Sequence, residues 1–219
     1  MSSRASVTLK IATSLDARIA LSNGTSQWIT SPQARARAHQ MRAEHDAVLV
    51  GVGTVLADDP LLTARTVPLP KRQPVRIVAD SQVRTPPASR LAASTATGRV
   101  VIAHADPQRR ATAKGFQGVD FWPVGDGHGR VAPQELLRRA RAEGINRIFL
   151  EGGGQLAASF LAAGLVDRIE WFRAPIIIGG DGLPAIAALG LDKMSSASRW
   201  QLSAYERIGD DSLESWISG

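Results

Sequence analysis

Short apolar runs alternate with helix-patterned segments along most of this chain, and that alternation points to a sheet covered by helices. Residues 7–12, 47–50, 75–79, 100–103, 147–150 and 169–174 read as strands. Between them, Thr30-Ser31-Pro32-Gln33 starts a helix, with Pro in the first turn and Gln33 placed for a capping box. After the second strand, Gly51-Val52-Gly53-Thr54 is followed by a helical turn that ends before Asp58. Residues 133–143 form a second clear helix, with Pro133 at its start, Leu136, Leu137 and Ala140 as its apolar stripe, and Gly144 beyond its end. Residues 155–163 form another, closed by Gly164. Residues 121–124 fit an edge strand, since Pro123 cannot donate to a ladder. At the C-terminus, residues 200–208 and 212–217 face each other across Gly209-Asp210-Asp211, which is a hairpin pattern. The fold class expected is therefore α/β, a mostly parallel central sheet flanked by helices and ending in an antiparallel hairpin. No internal repeat appears, residues 67–74 read as a loop, and 219 residues suffice for one full core. A single domain over residues 1–219 is the expectation.

Composition narrows the chemistry. Cysteine is absent, which excludes disulfides and Cys-ligated zinc. His39, His45, His104 and His128 show no metal-ligand spacing, and neither H-E-x-x-H nor G-x-S-x-G occurs. Metal-dependent hydrolysis and acyl transfer are disfavoured. No signal-peptide pattern opens the chain and no apolar run reaches bilayer length, so a cytoplasmic protein with no membrane partner is expected. The net charge of +6 and pI near 10.6 invite a nucleic-acid reading. The arginines are scattered along helical faces, however, and aromatics make up only 5% of the chain. A small anionic ligand accounts for the charge at least as well.

Glycine clusters at two strand-to-helix junctions locate candidate sites. Leu150-Glu151-Gly152-Gly153-Gly154-Gln155 leads from a strand into a helix, whose first N–H groups suit a phosphate. Tight turns also use glycine for steric reasons, and the carboxylate of Glu151 at the strand end is what favours a ligand. Gly51-Val52-Gly53-Thr54 makes a second such turn but lacks the third Gly of a dinucleotide fingerprint. Asp58-Asp59-Pro60 either terminates a helix through Asx turns or contributes carboxylates to a site. Lys10, in an otherwise apolar strand, Ser26 and Arg42 form a candidate phosphate set. Lys10 at a solvent-facing strand edge and Trp28 packed under the following helix are the competing readings.

Across nearly the whole chain, and in order, these segments resemble the pyrimidine reductase family of riboflavin biosynthesis. The matching text is KIATSLDARIAL (residues 10–21), SQWITSPQ (26–33), VLADDPLLTAR (55–65), VADSQVR (78–84) and LEGGGQLAASFL (150–161), followed by residues 165–167 and 174–182. The resemblance implies a dihydrofolate-reductase-like fold. It also implies NADPH-dependent reduction of 5-amino-6-(5-phosphoribosylamino)uracil to its ribitylamino form, with hydride delivered to the sugar C1. By position, Ala12, Trp28, Thr54, Asp58, Ser81 and the turn Gly153, Gly154, Gln155, Leu156, Ala157, Ala158 and Ser159 match NADPH contacts. Ser26, Arg42, Leu62, Arg65 and Glu151 match substrate contacts. Lys10 and Glu151 are the catalytic candidates, Glu151 orienting the substrate's polar edge and Lys10 or a water assisting proton delivery. Ser81 and Arg84 are candidate contacts to a 2′-phosphate. Members are commonly fused to a zinc deaminase with H-x-E and P-C-x-x-C signatures; a chain without cysteine lacks them, so a reductase-only chain is expected. A homodimer is common in the family. Two rivals stand beside this reading: a dihydropterin reductase on the same scaffold, and a basic nucleic-acid-binding protein. The joint presence of Lys10, Ser26, Arg42 and Arg65 favours a phosphosugar over a pterin.

Overall fold

A computed structural model describes residues 3–105 and 114–219. The chain divides into two compact units, one comprising the segment up to Ser6 with His39–Leu150, the other Val7–Ala38 with Glu151–Gly219.

The first unit is a parallel sheet. β3 (Ala47–Gly51), β4 (Val75–Ala79), β5 (Val100–His104) and β6 (Val119–Pro123) pair in sequence order, all parallel. β7 (Arg147–Gly152), whose last two residues belong to the other unit, lies beside β3. β3, β4 and β5 are buried along nearly their whole length, which is why they read as mainly Val/Ile/Leu/Ala runs, interrupted in β4 by Arg76. β6 ends the strand order, so Pro123 falls at an edge as expected. α2 (Val52–Asp58) follows β3 directly. α3 (Pro133–Ala142) buries Leu136, Leu137 and Ala140, and the N–H of Gly144, at φ +80°, donates to the Arg141 carbonyl. Val48, Val50, Val52, Val55, Leu62, Val78, Leu91 and Val100 form one core cluster. Into this unit β4 carries Arg76, fully buried and with no carboxylate partner among the described residues. Its guanidinium donates to the Leu61 carbonyl, to the hydroxyl (2.6 Å) and carbonyl (3.0 Å) of Ser94, and to the Gly98 carbonyl. Burial pulls its pKa below the usual arginine value, and the bonded oxygens offset the cost of desolvating the charge.

The second unit is built on β1 (Ser6–Thr13), β8 (Arg168–Arg173), β11 (Asp211–Ser218) and β10 (Trp200–Ile208). β1 and β8 are parallel, while β8–β11 and β11–β10 are antiparallel. The hairpin is tighter than its sequence suggests: Ile208 pairs with Asp211, leaving only Gly209 and Asp210 in the turn. α1 (Pro32–Glu44) starts here, and the N–H of Ala34 donates to the Ser31 hydroxyl at 3.2 Å. Ser31 is thus the cap, and Ala34 rather than Gln33 occupies the box position. α4 (Gly154–Ala162) follows β7. A short ribbon was not anticipated from the sequence: β2 (Arg18–Ala20) pairs with β9 (Leu183–Pro184). Asp16 holds the segment between them, its carboxylate accepting from Ser14 Oγ (2.6 Å), Ile178 N (3.1 Å) and Gly179 N (2.7 Å). Parallel strands flanked by helices, closed by a C-terminal antiparallel ribbon, agree with the expected fold class. Among the described residues no helix is long and apolar enough to cross a membrane.

Candidate active site

In the second unit, the two-residue period of β1 decides what Lys10 can do. Val7, Leu9, Ile11 and Thr13 are buried, so Thr8, Lys10 and Ala12 share the opposite, partly open face. Lys10 Nζ lies 5.9 Å from the centre of the Phe172 ring.

Glu151 sits near the end of β7, two residues before the cap of α4. Gly152 takes φ +121°, open to glycine and strained for any other residue, and the Gly152–Gly153 peptide is cis. Gly154 is pressed against residues 184–187: a Cβ there would stand 3.0 Å from the Pro184 carbonyl oxygen, and its own carbonyl accepts from Ala187 N at 3.1 Å. The glycines therefore serve the backbone as well as any ligand. α4 has no side-chain cap, and its ladder begins with Ala157 N donating to Gly153 O. The N–H groups of Gly154, Gln155 and Leu156 precede that ladder and point from the helix N-terminus, where an anion is stabilised. The later residues of the predicted cofactor turn are placed differently. Ala157 and Ala158 are buried on the helix, and the Ser159 hydroxyl donates to the Leu156 carbonyl at 2.8 Å.

Ser26 is half-buried and Trp28 is 69% exposed. Packing beneath the helix is thus not the role of Trp28. Arg35 of α1 places its guanidinium 4.3 Å from the indole centre and also donates to the Thr30 carbonyl, supporting the ring from one side. Sequence reading passed over Arg35, although its spacing of seven from Trp28 across a helix start is a signal that such a pair can form.

In the first unit, Arg42 lies in the last turn of α1 and donates to the Thr63 carbonyl at 3.0 Å. The adjacent aspartates of Asp58-Asp59 divide their roles. Asp59 adopts a left-handed conformation at the end of α2, and its carboxylate accepts from Arg90 N at 2.8 Å, a terminating and anchoring role. Asp58 is exposed as a residue, yet the partial desolvation of its carboxyl raises its pKa above the usual carboxylate value. Thr54 is half-buried in α2. Leu62, at φ +55°, puts its side chain in the core cluster at 3% exposure, so only its backbone is available to a ligand. Arg65 is exposed, and its N–H donates to His39 Nδ1 at 3.3 Å. Ser81 accepts from Val131 N at 3.0 Å through its hydroxyl, and Arg84 is exposed nearby in sequence.

The sequence matches the family described as RibD C-terminal domain over residues 5–213. It is 38% identical over 214 residues to the riboflavin biosynthesis protein RibD of Actinobacillus pleuropneumoniae, covering 96% of this chain and 56% of that protein. It is 39% identical over 208 residues to the 2,5-diamino-6-ribosylamino-4(3H)-pyrimidinone 5′-phosphate reductase of Methanothermobacter thermautotrophicus, covering 94% of each. The chain spans about half the length of the RibD relatives it matches. Among solved structures, Acinetobacter baumannii RibD aligns with a TM-score of 0.85 at 26% identity, over 100% of this chain and 59% of that one. Dihydrofolate reductase of Enterococcus faecalis shares the fold, with a TM-score of 0.53 at 12% identity over 98% of this chain and 96% of that one. With the family matched along nearly its whole length and the dihydrofolate-reductase-like fold in place, this chain belongs to the RibD C-terminal domain family.

Proposed function

We propose that this protein is an NADPH-dependent oxidoreductase that reduces 5-amino-6-(5-phosphoribosylamino)uracil to 5-amino-6-(5-phosphoribitylamino)uracil. The observation that carries the reading is the 39% match, over 94% of both chains, to a relative named as a reductase of a ribosylaminopyrimidine 5′-phosphate. That relative's name specifies a 2,5-diaminopyrimidinone, which gives a second reading: the same reduction performed on the 2-amino ring. A pterin substrate gains nothing from the likeness to dihydrofolate reductase, which at 12% identity reaches the fold alone.

The residues fit a dinucleotide phosphate. Gly152 to Gly154 leave no side chain over the entry to α4, and the N–H groups of Gly154, Gln155 and Leu156 stand ahead of the helical ladder. NADPH, when bound there, supplies the hydride. The partly open face of β1 offers Ala12 to the cofactor and Lys10 to the reacting end of the sugar. In the ring-opened sugar imine, C1 gains the hydride and the nitrogen gains a proton, which we assign to Lys10. Glu151 orients the polar edge of the substrate. Ser26, Arg42 and Arg65, with the backbone of Leu62, hold its ribose phosphate and ring. Trp28, Thr54, Asp58 and Ser81 are assigned to the cofactor. The protein is further proposed to work in the cytoplasm as a homodimer, since β10 ends its strand order with nearly every residue exposed.

Steady-state oxidation of NADPH by the purified chain tests this, with the uracil phosphosugar, its 2-amino analogue, dihydrofolate and a dihydropterin offered in parallel. Turnover of the uracil form supports the first reading, and preference for the 2-amino form supports the second. Turnover of a pterin alone would overturn both.

A further inference from the structure

Residues 61–65 form neither helix nor strand, yet Leu62, Thr63 and Ala64 are buried. Buried backbone outside a ladder needs partners from elsewhere, and here side chains distant in sequence provide them. Arg76 donates to the Leu61 carbonyl at 3.4 Å and Arg42 to the Thr63 carbonyl at 3.0 Å, while the Arg65 N–H is accepted by His39. Gln73 does the most. Its Oε1 accepts from Ala64 N–H at 2.8 Å and its Nε2 donates to the Ala64 carbonyl at 3.0 Å. One carboxamide thus satisfies both backbone groups of a residue with no exposure, as a neighbouring strand would. Immediately beyond it, Arg65 projects into solvent.

We propose that Gln73 is a positioning residue for substrate binding, its two-way clamp on Ala64 fixing the backbone from which Arg65 reaches the phosphorylated sugar. The inference rests on the reading of Arg65 as a substrate-holding residue given above. A long arginine loses rotamer freedom on binding, so affinity depends on how little else must be ordered at that moment. Gln73 supplies that order in advance through its two bonds to the Ala64 backbone, and His39, holding the N–H of Arg65 itself, completes it.

The test is Gln73→Met, which keeps side-chain length and removes both hydrogen bonds. Steady-state kinetics of the full chain are measured with the phosphosugar and NADPH varied in turn, alongside thermal melting. Leaving two buried backbone groups unsatisfied is expected to raise KM for the phosphosugar roughly ten-fold. KM for NADPH should stay at its wild-type value, and kcat should change far less than the phosphosugar KM. A purely structural role would lower the active fraction, and so kcat, without a selective rise in one KM. Should Gln73→Met not fold, His39→Ala and His39→Asn replace it: the Asn Oδ1 can take the place of Nδ1 as acceptor, so the phosphosugar KM should rise in the first and recover in the second. An unchanged phosphosugar KM in the folded variant, Gln73→Met or its replacement His39→Ala, overturns the proposal while leaving the functional reading intact. A wild-type chain that turns over no phosphosugar removes the functional reading, and this proposal with it.

Discussion

Leu62 and Arg65 lie three residues apart in one motif, and the structure gives them opposite work. The Leu62 side chain fills the core beside Val48, Val50 and Val55, whereas Arg65 is exposed. Leu62→Ala should therefore cost stability, about 2–5 kcal/mol for a buried large-to-small change, read as a lowered melting temperature. Arg65→Ala should leave melting nearly unchanged and raise KM for the phosphosugar. Equal melting losses in the two variants would contradict this division. Glu151 carries the other residue-level claim. Glu151→Gln removes the charge with little change of shape, and loss of substrate orientation should lower kcat/KM by on the order of a hundred-fold; wild-type kcat and KM in that variant would remove its assigned role.

At the scale of elements, what the sequence discloses depends on periodicity. β3, β4 and β5 are legible because both faces are buried and the runs are predominantly apolar, with Arg76 the one charge inside them. α3 is legible from Pro133, its apolar stripe and Gly144. The ribbon of β2 and β9 has no such signal, being three and two residues long and held by a carboxylate rather than by pattern. Residues 61–65 are hidden for the same reason, since their partners at positions 39, 42, 73 and 76 follow no spacing rule. The candidate site was legible mainly through the glycine turn and the resemblance. That Gly154 packs against residues 184–187, and that Leu62 turns inward, depend on tertiary packing. The Asp16 anchor yields a pH prediction. The bond from Ser14, with those from Gly179 and Ile178, lowers its pKa to about 2. A carboxylate depressed below its unfolded value stabilises the fold above that value, and the contribution is lost as pH falls through the folded pKa. Asp16→Ala should thus melt below wild type at neutral pH, with the gap narrowing from about pH 4 downward. A gap independent of pH would contradict the anchor.

For the whole molecule, the excess of basic residues, +6 overall, fits a protein that handles two phosphate-bearing ligands. The glycine turn into α4 and the match along nearly the full chain to the RibD C-terminal domain family are the grounds on which hydride transfer onto a phosphosugar is proposed. The most direct measurement follows the hydrogen itself. NADPH deuterated at the nicotinamide carbon that gives up hydride is incubated with the chain and 5-amino-6-(5-phosphoribosylamino)uracil, and the product is examined by NMR. The account predicts one deuterium at C1 of the ribityl chain. Product without label at that carbon, or no product while a pterin acquires the label, would contradict it.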